Sequence, residues 1–260
     1  ASDMPIYDIS EILRKNPDNP QWGPPLAKHF WAQPALGYYR SDDVEIMKIH
    51  MRQIYEMGVD FLVLDTTNNR QSWPIWYARL LAWDPIDLLL KTMLEMRESG
   101  EKTPYVSFWA GTWTDDVADT AAVPRYIYNR YYKSGKYDEL FVYYQGKPLI
   151  SLTDDNPSEL SQYFTVRKKW GLRPRLPEGE WSGLERYPQR PGISSGITEH
   201  LVVSAATQLS HMNIFEKIGN YEPPLTRNGG RYYAKQWSRA FELKPKIVFL
   251  TEWNSWSAIR

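Results

Sequence analysis

Cysteine is absent from the 260 residues. Disulfides, thiolate metal sites and a cysteine nucleophile are therefore excluded. No apolar run approaches the roughly 18 residues of a membrane-spanning helix, so membrane insertion is not expected. An excess of either charge is lacking too: Lys plus Arg and Asp plus Glu number 31 each. No bulk field draws in nucleic acid or an anionic membrane surface. The first ten residues hold no basic stretch followed by an apolar one, so no signal peptide is read there. No G-x-G-x-x-G follows a predicted strand, which removes the usual dinucleotide loop. The four histidines, at 29, 50, 200 and 211, have no H-E-x-x-H or paired spacing. A zinc-protease site is therefore not expected. Ser204 and Ser255 lack a G-x-S-x-G elbow, which argues against a serine hydrolase.

Aromatic rings are plentiful instead, with 12 Trp and 18 Tyr. Sugars present apolar C–H faces edged by hydroxyls. Rings set beside carboxylates and amides suit such faces. Protein interfaces and Trp-rich cores use the same residues. With 42% apolar residues, the chain can bury one sizeable core.

Short apolar segments alternate with amphipathic ones. Ser41-Asp42-Asp43 caps a predicted helix over 43–57, with Val44, Met47, Ile54 and Met57 on its apolar side and Gly58 as its stop. Further helices are predicted over 85–99, around 122–134 and over 232–243. Strands are predicted at 59–65, 105–110, 163–170, 200–206 and 246–252, and as a pair about a Gly turn within 139–152. Residues 1–42 read as irregular, apart from a short helix over 9–14.

This alternation predicts an α/β fold: an open doubly wound sheet or a TIM-type (β/α)8 barrel. The barrel is favoured because polar and aromatic clusters recur just after successive strands: DTTNN, WAGTW, TDDN, EWSGLERYPQ, SAATQ and TEWNSW. A barrel gathers all such strand ends on one face. A complete eightfold unit needs a strand ahead of the first long helix and a helix after the last strand. The expectation is a single barrel domain over 1–260 that lacks its first strand and last helix, with 1–42 as a long loop.

The candidate chemistry sits in those clusters. Glu252 ends the last predicted strand between Thr251 and Trp253. Partial desolvation against indole would raise its pKa toward proton donation near neutrality. Glycoside hydrolysis ordinarily uses two carboxyl groups across one bond. Asp65, Asp154 and Glu185 are each candidate partners for Glu252. Trp109, Trp113, Trp253 and Trp256 are candidate sugar platforms. Asn68, Gln208 and Asn254 are candidate hydroxyl contacts, and His29 in the first loop is another. Glu185 and Tyr187, with Trp181 and Gln189, form an aromatic–carboxylate–amide group in a long Pro/Gly-rich stretch. Carboxylate chemistry of this kind needs no cofactor, and none is expected.

Three stretches carry a family resemblance: GYYRSDDVEIMKIHMRQIYEMGVDFLVLDTTN (37–68), WSGLERYPQ (181–189) and IVFLTEWNSWSAIR (247–260). The chain resembles the (β/α)8 glycoside hydrolases related to the endo-α-mannosidase family, glycoside hydrolase family 99. The resemblance implies a strand ahead of Ala1, a helix after Arg260, and substrate-facing roles for Asp65 and residues 252–256. It implies hydrolysis of a polysaccharide or oligosaccharide, in a secreted, periplasmic or cell-surface setting. One position departs from the pattern. Related sequences usually read W-N-E-W at the last strand, whereas this chain has Ser255 at the Glu position. A catalytically inactive sugar-binding protein, or a component of a larger assembly, are the alternatives.

Overall fold

The structure is a computed structural model. It describes residues 5–24, 27–30, 33–67, 76, 79–111, 120–153, 158–171, 175–205, 228–254 and 257–259. Two compact units are formed, one from residues 1–41 with 252–260, the other from 42–251.

In the first unit, strand β1 (Tyr7–Asp8) leads directly into helix α1 (Ile9–Lys15), where Asp8 caps by accepting from the Glu11 amide. Strand β2 (Lys28–Phe30) pairs parallel with β1. Residues 1–42 were expected as a loop with one short helix. They also carry these two strands, which are too short to leave an alternation readable in sequence.

In the second unit, helix α2 (Val44–Glu56) starts where the cap residues predict. The Asp43 carboxylate accepts from the Glu45 and Ile46 amides. Met51 and Ile54 are buried, but Met57 is 56% exposed, because the helix has ended by then. Strand β3 (Phe61–Asp65) follows. A π-type turn (Arg79–Trp83) then feeds α3 (Asp84–Glu98), which has Pro in its first turn and buries Ile86, Leu90, Met93 and Met96. Next come β4 (Tyr105–Ala110) and α4 (Ala122–Ile127), the latter continuing into a second π-type turn over Tyr128–Tyr132. Strands β5 (Tyr143–Tyr144) and β6 (Lys147–Leu152) form the predicted hairpin. Its two-residue turn has positive φ at both Gln145 and Gly146, as the twist of paired strands favours. The remaining strands of this unit are β7 (Thr165–Trp170), β8 (Glu180–Ser182), β9 (Gly192–Ser194), β10 (Ile197–Ser204) and β11 (Ile247–Thr251). Helix α5 (Arg231–Leu243) lies between the last two. Strand β12 (Ser257–Ile259) returns to the first unit and pairs antiparallel with β2.

Strands β3, β4, β6, β7 and β8 are neighbours in that order, and their ladders are parallel. β10 and β11 form a second parallel pair, with β9 antiparallel on β10. Among the described ladders the order never reverses, so the crevice of a doubly wound sheet does not arise.

Alternate residues of the strands meet the helices. Leu64, Val106, Phe108, Ile150 and Leu152 join Leu90, Met93, Ile127 and Tyr131 in one core. Leu201, Val203, Val248 and Leu250 pack with Ala240 of α5 in another. The strand period of two then turns Asp65, Trp109, Lys169, His200, Phe249 and Thr251 to the opposite face.

Candidate active site

That opposite face carries polar and aromatic side chains among aliphatic ones such as Leu149 and Val202. Asp65 ends β3 in register with Trp109 of β4, so two of the sequence-predicted residues stand side by side. Asp65 is exposed, and its Oδ1 accepts from the Thr67 amide at 2.8 Å. The strand ends are drawn tightly together. Thr66 donates both its amide and its hydroxyl to the Trp109 carbonyl, at 2.8 and 3.0 Å. The Thr251 hydroxyl donates to the Gly183 carbonyl at 2.7 Å, which ties the end of β11 to the segment after β8.

Trp109 is half-buried rather than openly displayed. Its indole N–H donates to the Lys169 carbonyl of β7 at 3.2 Å. Its six-membered ring lies against Gly183, where an added Cβ would come within 2.5 Å of Cη2. We expect Gly183→Ala to push the indole aside and to destabilise the fold by about 1–3 kcal/mol, the usual cost of overpacking. Thermal denaturation checks this; an unchanged Tm would remove the positioning role given to Gly183.

The segment after β8 is pinned rather than open. Glu185 is buried, and both its oxygens accept from Arg190, at 3.0 and 2.6 Å. Gln189, fully buried, donates to the carbonyls of Val202 and Gln236. Gln236 of α5 donates in turn to the Glu185 carbonyl at 3.0 Å, and its Oε1 accepts from the Ser204 amide at 2.5 Å. Glu185 therefore anchors a loop, and its carboxylate is committed to a guanidinium. Tyr187 is exposed, precedes a cis peptide to Pro188, and carries the Lys235 ammonium 4.2 Å from its ring centre.

Glu252, Trp253, Asn254 and His29 belong to the first unit. Glu252 is exposed, not half-desolvated as its neighbours in sequence predict. Its φ of 67° lies in the left-handed region, where the chain leaves β11 and turns toward β12. Trp253 is 40% exposed. The Asn254 side chain hydrogen-bonds the Tyr39 hydroxyl, whose pKa is raised chiefly by burial. His29 is buried; its Nε2–H donates to the Trp22 carbonyl at 2.7 Å, and the rings of Tyr7 and Trp22 flank it. That is the bonding of a core histidine. Asp154, Asn68, Trp113, Gln208 and Trp256 lie outside the described residues.

Two buried groups were not singled out from the sequence. Glu199 of β10 accepts both nitrogens of a bidentate Arg167, at 2.7 and 2.8 Å, together with the Tyr144 hydroxyl and the Trp181 indole N–H. Burial alone would raise the Glu199 pKa, but these four donors outweigh it and hold the pKa down at about 2. Tyr144 responds oppositely: burial, then the bond to Glu199, pushes its hydroxyl up to about 12. The second group is Lys169 of β7, with His200 of β10 in the same interior. The signal for both groups is present in TVRKKW and in His200. Strand alternation, however, does not tell a solvated face from an enclosed one.

No family model matches the sequence, and no curated protein matches it. Solved structures do. The fold is similar to a glycoside hydrolase family 99 endo-α-mannosidase from Bacteroides thetaiotaomicron, at TM-score 0.57 and 17% identity over 86% of this chain and 70% of that one. A second structure of an enzyme so described, in complex with bis-tris-propane, gives 0.55 and 16%, over 86% and 75%. A glycoside hydrolase-like protein gives 0.54 and 12%, over 86% and 79%.

Proposed function

We propose that this chain is a glycoside hydrolase, built as a TIM-type barrel, that cleaves a polysaccharide or oligosaccharide at the carboxyl ends of its parallel strands. The observation that carries the reading is the pairing of Asp65 with Trp109. A carboxylate and an indole stand in register at two strand ends, on the face turned away from the helices. Sugar rings stack on indole, and an ionised carboxylate beside the stack can stabilise positive charge at the anomeric carbon or accept a proton. Glu252 is proposed as the second carboxyl group on sequence grounds. Glu185 is set aside, because its salt bridge to Arg190 occupies both oxygens. Asp154 keeps its place as an alternative partner on sequence grounds. Trp113, Trp253 and Trp256 are proposed platforms. Asn68, Gln208 and Asn254 are proposed hydroxyl contacts, and secretion or a periplasmic setting is proposed with them.

One feature favours a second reading. Ser255 stands where related sequences place a glutamate, and a barrel without that group could bind sugars and leave them intact. A glycan panel separates the two readings. The endo-α-mannosidase among the similar structures makes α-linked mannose oligomers the first substrates to try. Hydrolysis is the expected outcome, followed by chromatography of the products and by NMR of the newly formed anomeric centre. Saturable binding without products would favour the inactive reading, and neither binding nor products would overturn both.

A further inference from the structure

The face opposite the helices holds one indole from three sides. Strand β6 lies between β4 and β7, and the ladder partner of Trp109 on β6 is Ser151, small and buried. The indole reaches across to β7, where its N–H donates to the Lys169 carbonyl at 3.2 Å. The Lys169 side chain, 1% exposed, returns to the same indole and sets Nζ 4.5 Å from the ring centre. Gly183 meets the far edge of the ring, where an added Cβ would come within 2.5 Å of Cη2. Lys169 thus grips the indole twice, at its edge through the backbone and at one face through the side chain. It is also in contact on a second side. Nζ lies 3.0 Å from the ring centre of Phe249 of β11, a strand that shares no ladder with β4 among the described residues. Phe249 lies 5.8 Å from the ring of His200, which stacks on Trp181 at 4.6 Å. Packing therefore runs unbroken from β4 through β7 to β11, β10 and β8. Burial drives the Lys169 pKa well below the usual lysine range, opposed by the attraction of Asp65. The contact does not need a full charge, since an uncharged N–H also finds an acceptor in a ring face.

We propose that Lys169 is a positioning residue: it fixes the plane of the Trp109 indole beside Asp65, so that a sugar stacks on the ring face turned away from Nζ. Asp65 is the ladder partner of Trp109 on β3. The angle of the indole therefore sets the angle at which a stacked sugar meets the carboxylate. A platform free to swing loses that freedom at every binding event, whereas a fixed one has lost it on folding. Lys169 touches no substrate and takes no part in the chemical step; it acts through Trp109. The sugar rests on the carbohydrate reading above, and the clamp on the indole does not.

Two measurements on the full chain test the proposal. NMR reads the clamp without any ligand. With rings on two sides, the ε-methylene protons of Lys169 should resonate upfield of those of Lys91, whose side chain is 63% exposed. Trp109→Ala should move them part of the way back. Ordinary lysine positions in the wild type would overturn the clamp, and that comparison needs no variant to fold. Kinetics read the consequence. Lys169→Met keeps an unbranched stem and removes the amine. On the glycan that the panel identifies, KM, or Kd where the sugar is bound and left intact, should rise about 10-fold, the scale of one lost aromatic contact. The value of kcat should stay within about twofold, as for a loss of uniform binding. In a Trp109→Ala background the same substitution should add nothing, because the group it acts through is gone. A merely structural lysine would lower Tm and leave KM in place. Unchanged KM, or a full further loss on top of Trp109→Ala, would overturn the positioning role. A glycan panel with neither binding nor products would remove the sugar and leave the NMR result standing, so the two readings fail separately.

Discussion

Replacing Asp65 by asparagine is expected to lower the turnover of a hydrolysed glycan by about 10²–10⁴-fold, the range attached to a positioned acid–base group. The substitution isolates charge from shape. The Oδ1 that accepts from the Thr67 amide is kept in asparagine, so the end of β3 should hold its course. Binding should change little, because the Trp109 surface stays in place. Glu252→Gln is expected to cost turnover over the same range. It is a sterner test, since Glu252 lies exposed on the first unit's side of the turn. Both are measured as kcat and KM on the glycan that the panel identifies. Unchanged kcat in either variant would remove that residue from the mechanism. Glu185→Gln offers a contrast. It should lower Tm by loosening Arg190 while leaving the chemical step to other groups.

The largest loss of stability is expected at Glu199. Its carboxylate is buried, and it neutralises an Arg167 side chain only 11% exposed. Glu199→Ala strips the guanidinium of its carboxylate partner, leaving it the Val166 carbonyl and the Gln145 side-chain oxygen, and removes the acceptor of the Tyr144 hydroxyl and the Trp181 N–H. Breaking a buried pair in this way costs about 3–5 kcal/mol. Urea denaturation reads the loss directly, and a change within about 0.5 kcal/mol, the level of an ordinary surface substitution, would show that the network contributes nothing. A paired Glu199→Leu, Arg167→Met variant should recover much of the loss, because apolar replacement of both partners removes the desolvation cost along with the attraction. The sign of the pH dependence follows from the depressed pKa. The folded-state value of about 2 lies below the ordinary 4.5. The contribution of Glu199 is therefore whole above about pH 4.5 and is lost as pH falls toward 2. Wild type and Glu199→Ala should differ most near neutrality and converge in acid.

Much of the fold is legible where local signals agree. The Asp43 cap, the Gly58 stop and the Gly146 turn each mark a boundary by a backbone requirement, and each lies where the sequence puts it. The π-type turns at 79–83 and 128–132 are not legible, because their apolar spacing is too close to that of an α-helix. Strands β8 and β9 are three residues long, inside a segment whose Pro and Gly content reads as loop. The site is legible in part for the same reason. Asp65 and Trp109 follow from strand ends and register. Arg167, Lys169 and Glu199 do not, since charged residues on a strand ordinarily mark its wet side. Here that side is enclosed, and the polar groups are held by one another and by rings. His29 fails in the opposite sense. A histidine beside aromatic residues fits a sugar contact, but its ring N–H is spent on the carbonyl of Trp22.

The ladder between β2 and β12 also bears on the order of folding. It pairs Phe30 with Ser257 and Lys28 with Ile259, residues separated by roughly 230 positions of chain. Closing so long a loop for a three-residue ladder is unfavourable while the intervening chain is random, since the entropy of closure is paid before any contact rewards it. Once residues 42–251 have condensed, that stretch is no longer random chain, and the entropy cost of closing the ladder falls. The first unit should thus be the last part to form and the first to open. Hydrogen exchange would register this as weak protection of the His29 amide beside strong protection of Phe108 and Ile150 in the core of the second unit.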